Sequence, residues 1–220
     1  MAGGIAGYVY MAWIRDCSSE AEVTGLSEAG GIIGYLDYQG ATGCYTTSAC
    51  RVNAPRYAGG LVGWLSSGYL FGCYSQAEVT GTESGSRAGY AGGLAGFGDG
   101  GYLIGCYFAG TAQAPERAMP FIGYQNYSVD DTRGSYSSGR ILTGGTEDTS
   151  LANVYQGRQG LKQVGLDADG QPDWATATAE LNAAITAYNS SNTRDCEYHF
   201  VQTDGTSNPP TLAEGAPGAE

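Results

Sequence analysis

The sequence predicts a mainly β chain, a right-handed parallel β-helix (β-solenoid) of four to five coils with a small C-terminal α/β cap. Three observations carry this. The tripeptide Ala-Gly-Gly recurs at Ala2, Ala29, Ala58 and Ala91. A cysteine recurs at Cys17, Cys44, Cys73 and Cys106, each 15 residues after its alanine, in the same steps of 27, 29 and 33 residues. Glycine supplies 37 of the 220 residues without the G-X-Y period of collagen.

A fixed period of this size marks a solenoid or a propeller. The units lack helical 3.6 periodicity and glycine costs roughly 1 kcal/mol per helical position, which argues against helical repeats. Short apolar runs fit better: Gly60 to Leu65, Tyr69 to Tyr74, and Ala77 to Thr80. Three runs in one unit suit one coil of a three-sided β-helix, whereas a propeller blade needs about 40 residues. Equivalent residues of successive coils then stack at about 4.8 Å.

Further rungs follow from the same alignment. Gly7, Gly34, Gly63 and Gly96 are each followed by an aromatic: Tyr8, Tyr35, Trp64 and Phe97. Tyr45, Tyr74 and Tyr107 follow three of the cysteines. Six residues past each cysteine stand Val23, Cys50, Val79 and Ala112, which places Cys50 in an apolar rung. A fifth, decayed unit runs from Phe121-Ile122-Gly123-Tyr124 to Ser135-Tyr136. Length varies only behind the third strand, as in Gly81 to Arg87, so corner loops gather on one side.

Repeats are expected over 1–140, a cap over 141–208 and a flexible tail over 209–220. Leu181, Ile185 and Tyr188 at helical spacing predict a helix from Ala175 to Asn189, N-capped near Asp173 or Thr176. Cys196 to Val201 alternates as a strand. Both are expected to cap the open end of the coil stack.

The net charge of −12 argues against nucleic acid and anionic membrane surfaces as partners. No segment reaches the ~18 apolar residues of a membrane-spanning helix. Met1 is followed directly by the first repeat and no signal peptide is visible, as in a piece of a larger surface protein.

Candidate sites were weighed residue by residue. The repeating cysteines lack a CxxC pair and read as a buried, reduced ladder. The single histidine, His199, leaves His-dependent catalysis little room. Glu22 and Glu78 are equivalent residues two coils apart with Ala49 between them, close to the range of paired glycosidase carboxylates. Asp167, Asp169 and Asp173 form a weak calcium-loop candidate that lacks the final glutamate, and an acidic turn fits as well. Tyr45, Tyr74 and Tyr107 are the ligand-binding candidates, because a stacked stripe facing solvent could bind sugars by ring stacking. The sequence leaves open whether that stripe faces solvent or core.

Ala58-Gly-Gly-Leu-Val-Gly-Trp64 with Gly72-Cys-Tyr-Ser-Gln-Ala-Glu-Val-Thr-Gly81 resembles the GLUG motif of large bacterial cell-surface proteins, among them adhesins and non-catalytic parts of immunoglobulin A1 proteases. Leu181-Asn182 and Asn208-Pro-Pro-Thr-Leu212 resemble the tail that often follows such repeats. The resemblance implies an extracellular adhesive or stalk module without catalytic residues or cofactors, whose partners are glycans or host surface proteins. A carbohydrate-active β-helix enzyme and a pure spacer are the alternatives.

Overall fold

The structure is a computed structural model of the 220-residue chain. It describes residues 1–85, 89–127, 132–149, 161–191, 196–202 and 207–215. Ser86 and Arg87 of the expected corner loop, and 216–220 of the expected tail, lie outside the described residues.

The repeat folds into a β-solenoid of about five turns with one C-terminal helix. Four parallel sheets run along it. The alanine-glycine sheet stacks Ala2–Gly3, Glu28–Gly30, Tyr57–Gly59, Tyr90–Gly92 and Arg117–Met119. The long sheet begins with Ala6–Arg15 on Ile33–Thr42. From the third coil on, Val62–Ser66 and Tyr69–Phe71 pair with the two halves of Ile33–Thr42. The cysteine sheet follows each cysteine: Ser18–Ser19, Tyr45–Thr46, Tyr74–Ser75, Tyr107–Phe108, Ser135–Ser137 and Leu161–Gln163. The valine sheet stacks Glu22–Thr24, Arg51–Ala54, Glu78–Gly81, Thr111–Ala114 and Arg140–Thr143, and Thr146–Glu147 joins it antiparallel. Each coil therefore holds more strand segments than the three runs visible in sequence, because Ala-Gly-Gly forms a ladder of its own.

In-register stacking makes the core. Ile33, Val62 and Ala95 align, as do Leu36 and Leu65, all fully buried. Burying one such aliphatic side chain contributes roughly 1.5–3 kcal/mol, and the ladder repeats that gain coil by coil. The second glycine of each tripeptide lets neighbouring coils approach. A Cβ on Gly60 would stand 2.0 Å from the Gly93 carbonyl oxygen.

Two register expectations are corrected. Val52, and not Cys50, fills the rung of Val23 and Val79. The second coil carries two extra residues between its cysteine and valine strands, so the Cys50 carbonyl accepts the Glu78 amide one step before the strand. The residue between Glu22 and Glu78 is then Arg51, and not Ala49.

The helix α1 spans Trp174–Ser191, and Asp173 is its N-cap, with Oδ1 accepting the Thr176 amide at 3.0 Å. Leu181, Ile185 and Tyr188 are buried as their spacing predicts. Tyr198–Val201 pairs antiparallel with Thr211–Glu214. The expected tail from 209 thus begins with structure, since Thr211–Glu214 completes a hairpin. Helix and hairpin do not close an end of the stack. They lie along its side, over the corner that precedes the cysteine sheet.

That corner explains a second glycine ladder. Asp16, Gly43, Gly72, Gly105 and Gly134 all have φ between +54° and +64°. Glycine adopts this region without strain, and here it also leaves room for what lies above. A Cβ on Gly105 would meet Ile185 at 2.6 Å, and one on Gly134 would meet Ala184 at 2.4 Å.

Candidate contact surface

The first four strands of the cysteine sheet are two residues long, and their alternation settles the facing of the tyrosines. Thr46 and Ser75 point inward, where the Thr46 hydroxyl lies 2.9 Å from that of Ser75. Tyr45, Tyr74, Tyr107 and Tyr136 share one register and point away from the solenoid core, and the first three stack. Ring centroids are 4.8 Å apart for Tyr45–Tyr74 and 4.6 Å for Tyr74–Tyr107, with the ring planes nearly parallel.

The stripe nevertheless lies inside the protein. Trp174 of α1 meets Tyr107 edge-on at 5.0 Å, and Phe200 of the hairpin contacts both Tyr74 and Tyr107. The Tyr107 hydroxyl donates to the Pro210 carbonyl at 2.6 Å, and the Tyr136 hydroxyl donates to Glu180, which also pairs with Lys162. Tyr107 is 0% exposed and Tyr74 is 6% exposed, while Tyr45 is half-buried. Burial raises the hydroxyl pKa of both Tyr74 and Tyr107. Tyr136 is pushed up to about 12 by burial and by its bond to Glu180. The facing that the sequence left open is thereby decided: the stripe points away from the solenoid core yet is covered, because the C-terminal module packs its own aromatics onto the rings.

Another aromatic column stays open. Tyr8, Tyr35, Trp64, Phe97 and Tyr124 align on the long sheet. Their ring centroids stand 5.3, 5.3, 4.3 and 5.7 Å apart along the row. Tyr57 and Tyr90 of the alanine-glycine sheet flank it, with Tyr57 edge-on to Trp64 at 5.8 Å. Phe97 is buried, Tyr35, Trp64 and Tyr124 are half-buried, and Tyr8 is exposed. Tyr10 and Tyr38, exposed and 6.2 Å apart, extend the row sideways. Polar groups sit beside it. Partial desolvation and the neighbouring Asp37 carboxylate raise the Tyr8 pKa. Trp64 Nε1 and Asp99 Oδ1 are shielded from solvent and have no hydrogen-bond partner. The sequence showed the row but not Tyr57 and Tyr90. Their signal was a tyrosine directly before Ala-Gly-Gly in two units.

The remaining candidates have structural partners. Arg51 bridges to Glu78 at 3.2 Å, so Glu22 and Glu78 flank a base and do not face each other. Asp167 Oδ1 accepts the amides of Asp169 and Gln171 at 2.9 Å each, which makes a turn, and Asp173 caps α1. Among the described residues no group of three His, Cys, Asp or Glu side chains could hold a metal ion. His199 Nδ1 lies 3.0 Å from the Gly215 carbonyl oxygen in the hairpin.

All six cysteines are free. The sulfurs of Cys73 and Cys106 donate to carbonyls of the preceding coil, at 3.4 Å to Ala41 and 3.2 Å to Leu70. A hydrogen bond with Cys73 and burial push the Cys44 thiol up, and burial does the same for Cys73. Protonated, buried thiols are neither nucleophiles nor ready metal ligands.

The architecture defines the class: a parallel β-solenoid with a lateral helix-and-hairpin module. No protein-family model matches the chain, and no curated protein matches it. Among solved structures, a crystal structure from Bacteroides ovatus, named as a putative immunoglobulin A1 protease, shares the fold with a TM-score of 0.64 and 18% identity. The match covers 96% of this chain and 74% of that one.

Proposed function

We propose that this chain is a non-catalytic contact module of a bacterial cell surface, built on a GLUG-type repeat, that holds glycan chains along the row Tyr8, Tyr35 and Trp64. The row itself is the observation that supports this reading. Its rings stand once per coil on a rigid sheet, so ordering them costs little on binding. Flat aromatic faces offer apolar contact to sugar rings, and the Asp37 carboxylate beside Tyr8 offers a hydrogen-bond partner. The acidic, Ser/Thr/Tyr-rich surface suits an extracellular setting. The pairing of Glu78 with Arg51 favours contact over carboxylate catalysis.

The test is a binding screen against mucin, plant and bacterial glycans and host matrix proteins, with Tyr35→Ala/Trp64→Ala alongside. Saturable glycan binding by the parent, lost in a variant that keeps its circular-dichroism spectrum, is the expected result. Binding unaffected by the double substitution overturns the placement, and binding to none of the targets overturns the adhesive role. Immunoglobulin A1 belongs in the screen because the Bacteroides ovatus protein carries that substrate in its name. Cleavage of it by the purified chain overturns the non-catalytic reading.

A further inference from the structure

A second row runs beside the open aromatic column. In a strand, residues two apart share a face. Two residues beyond Tyr8, Tyr35, Trp64 and Phe97 stand Tyr10, Asp37, Ser66 and Asp99, in register from coil to coil. Leu36 and Leu65, between the two rows, are fully buried in the core, so both rows face outward. Asp37, Ser66 and Asp99 are part-exposed, and Tyr38 beside them is 49% exposed. The chain bends directly behind this row, with φ of +56° at Tyr38, +55° at Gln39 and +51° at Ser67. Residues other than glycine hold that conformation against strain, and such positions gather at ligand sites.

The two carboxylates of this row lack a counter-charge. Among the described residues neither is paired with a base, and Asp99 Oδ1 is shielded from solvent with no hydrogen-bond partner. Asp37 accepts from the Tyr8 hydroxyl. On the opposite flank of the column Glu28, Arg56 and Arg117 mix both signs. A partly desolvated carboxylate without a base is costly, and an incoming ammonium group relieves that cost. The faces of tyrosine and tryptophan attract the same charge. No third His, Cys, Asp or Glu joins Asp37 and Asp99 to hold a metal ion among the described residues. We propose that this face selects glycans with free, protonated amino groups, with Asp37 and Asp99 pairing the ammonium groups of a chain that runs along the column. The proposal rests on the reading of the column as a glycan contact and names the class of glycan. The spacing fits such a chain, because Asp37 and Asp99 are two coils apart, about 10 Å by strand spacing. In an extended, equatorially linked amino-sugar chain alternate residues are turned over, so every second amine faces the same way. The intervening Ser66 is small and uncharged, as the residue turned away requires.

The test is calorimetric titration of the full chain with a hexamer of β-1,4-linked glucosamine and with its N-acetylated counterpart, at a pH where the amines are protonated. The glucosamine hexamer is expected to bind about tenfold tighter or more. Asp37→Asn/Asp99→Asn should remove that preference, because asparagine keeps the turn and deletes the charge. Glu20→Gln/Glu197→Gln deletes the same number of charges at exposed positions elsewhere and should leave it intact. Equal affinity of the parent for both hexamers overturns the proposal, as does binding of neither. So does a preference that survives in the aspartate variant, or one that the glutamate variant loses equally, since the net charge of −12 would then be its source. Equal binding that Tyr35→Ala/Trp64→Ala abolishes removes the selectivity alone and leaves the column as a glycan contact.

Discussion

Two aromatic columns run along this solenoid, one ring per coil, and they have opposite fates. Tyr45, Tyr74 and Tyr107 stack almost face to face, Tyr136 continues their register, and the column lies beneath α1 and the hairpin. Tyr8, Tyr35, Trp64 and Phe97 tilt against one another, Tyr124 stacks on Phe97, and all but Phe97 keep partly exposed faces. Both have the same period in the sequence. The difference lies in what covers them, so a ladder's role follows from its cover and not from its spacing.

The largest effect that would break this contrast is at the covered column. Tyr107→Ala removes two ring contacts, the Trp174 contact and the hydrogen bond to Pro210. A loss of about 3–5 kcal/mol in urea unfolding is expected, as for other large buried rings. An effect below about 1 kcal/mol would mean that the column is not buried in solution.

Gly105→Ala tests the corner that seats the helix. The substitution forces a side chain into φ +58° and against Ile185. The backbone term alone costs about 1–2 kcal/mol. Selective loss of exchange protection in α1 is expected, with the coils intact. Uniform loss would show that helix and solenoid unfold as one unit.

The covered column also predicts an alkaline limit. An unfolded tyrosine titrates at about 10, whereas burial and the bond to Glu180 push Tyr136 up to about 12 and burial raises Tyr74 and Tyr107. Their contribution is therefore complete below pH ~10 and falls as pH rises toward and through the folded values. Thermal melts between about pH 9 and 12 should show that decline. Tyr136→Phe should flatten part of it, and a profile identical to the parent's would sink the assignment.

The smallest effect belongs to the open column. Tyr8→Ala should leave the denaturation midpoint unchanged, since the ring is half in solvent. A clear drop would make Tyr8 a structural residue and weaken the contact reading.

The repeat was legible because stacking demands identity at each rung. A glycine over a carbonyl and an aliphatic residue in the core recur wherever a coil meets a coil. That is why Gly31, Gly60 and Gly93, and likewise Ile32, Leu61 and Leu94, stand out by period alone. Cys50 misled the count because the two-residue insertion lies behind Cys44, so it keeps the 15-residue step from alanine to cysteine and shifts only the valine strand, a shift that strand pairing exposes. Thr211–Glu214 was missed because Asn208-Pro-Pro was read as the start of a tail, although Asp204-Gly205 between the two segments is a turn signal.

The sequence alone determined the solenoid, the helix with its Asp173 cap and the presence of two aromatic columns, since each rests on local spacing or stacking. The tertiary structure decided which column is covered, which residue separates Glu22 from Glu78 and where the C-terminal module sits. Those depend on contacts between segments far apart in the chain, and period carries no record of such contacts.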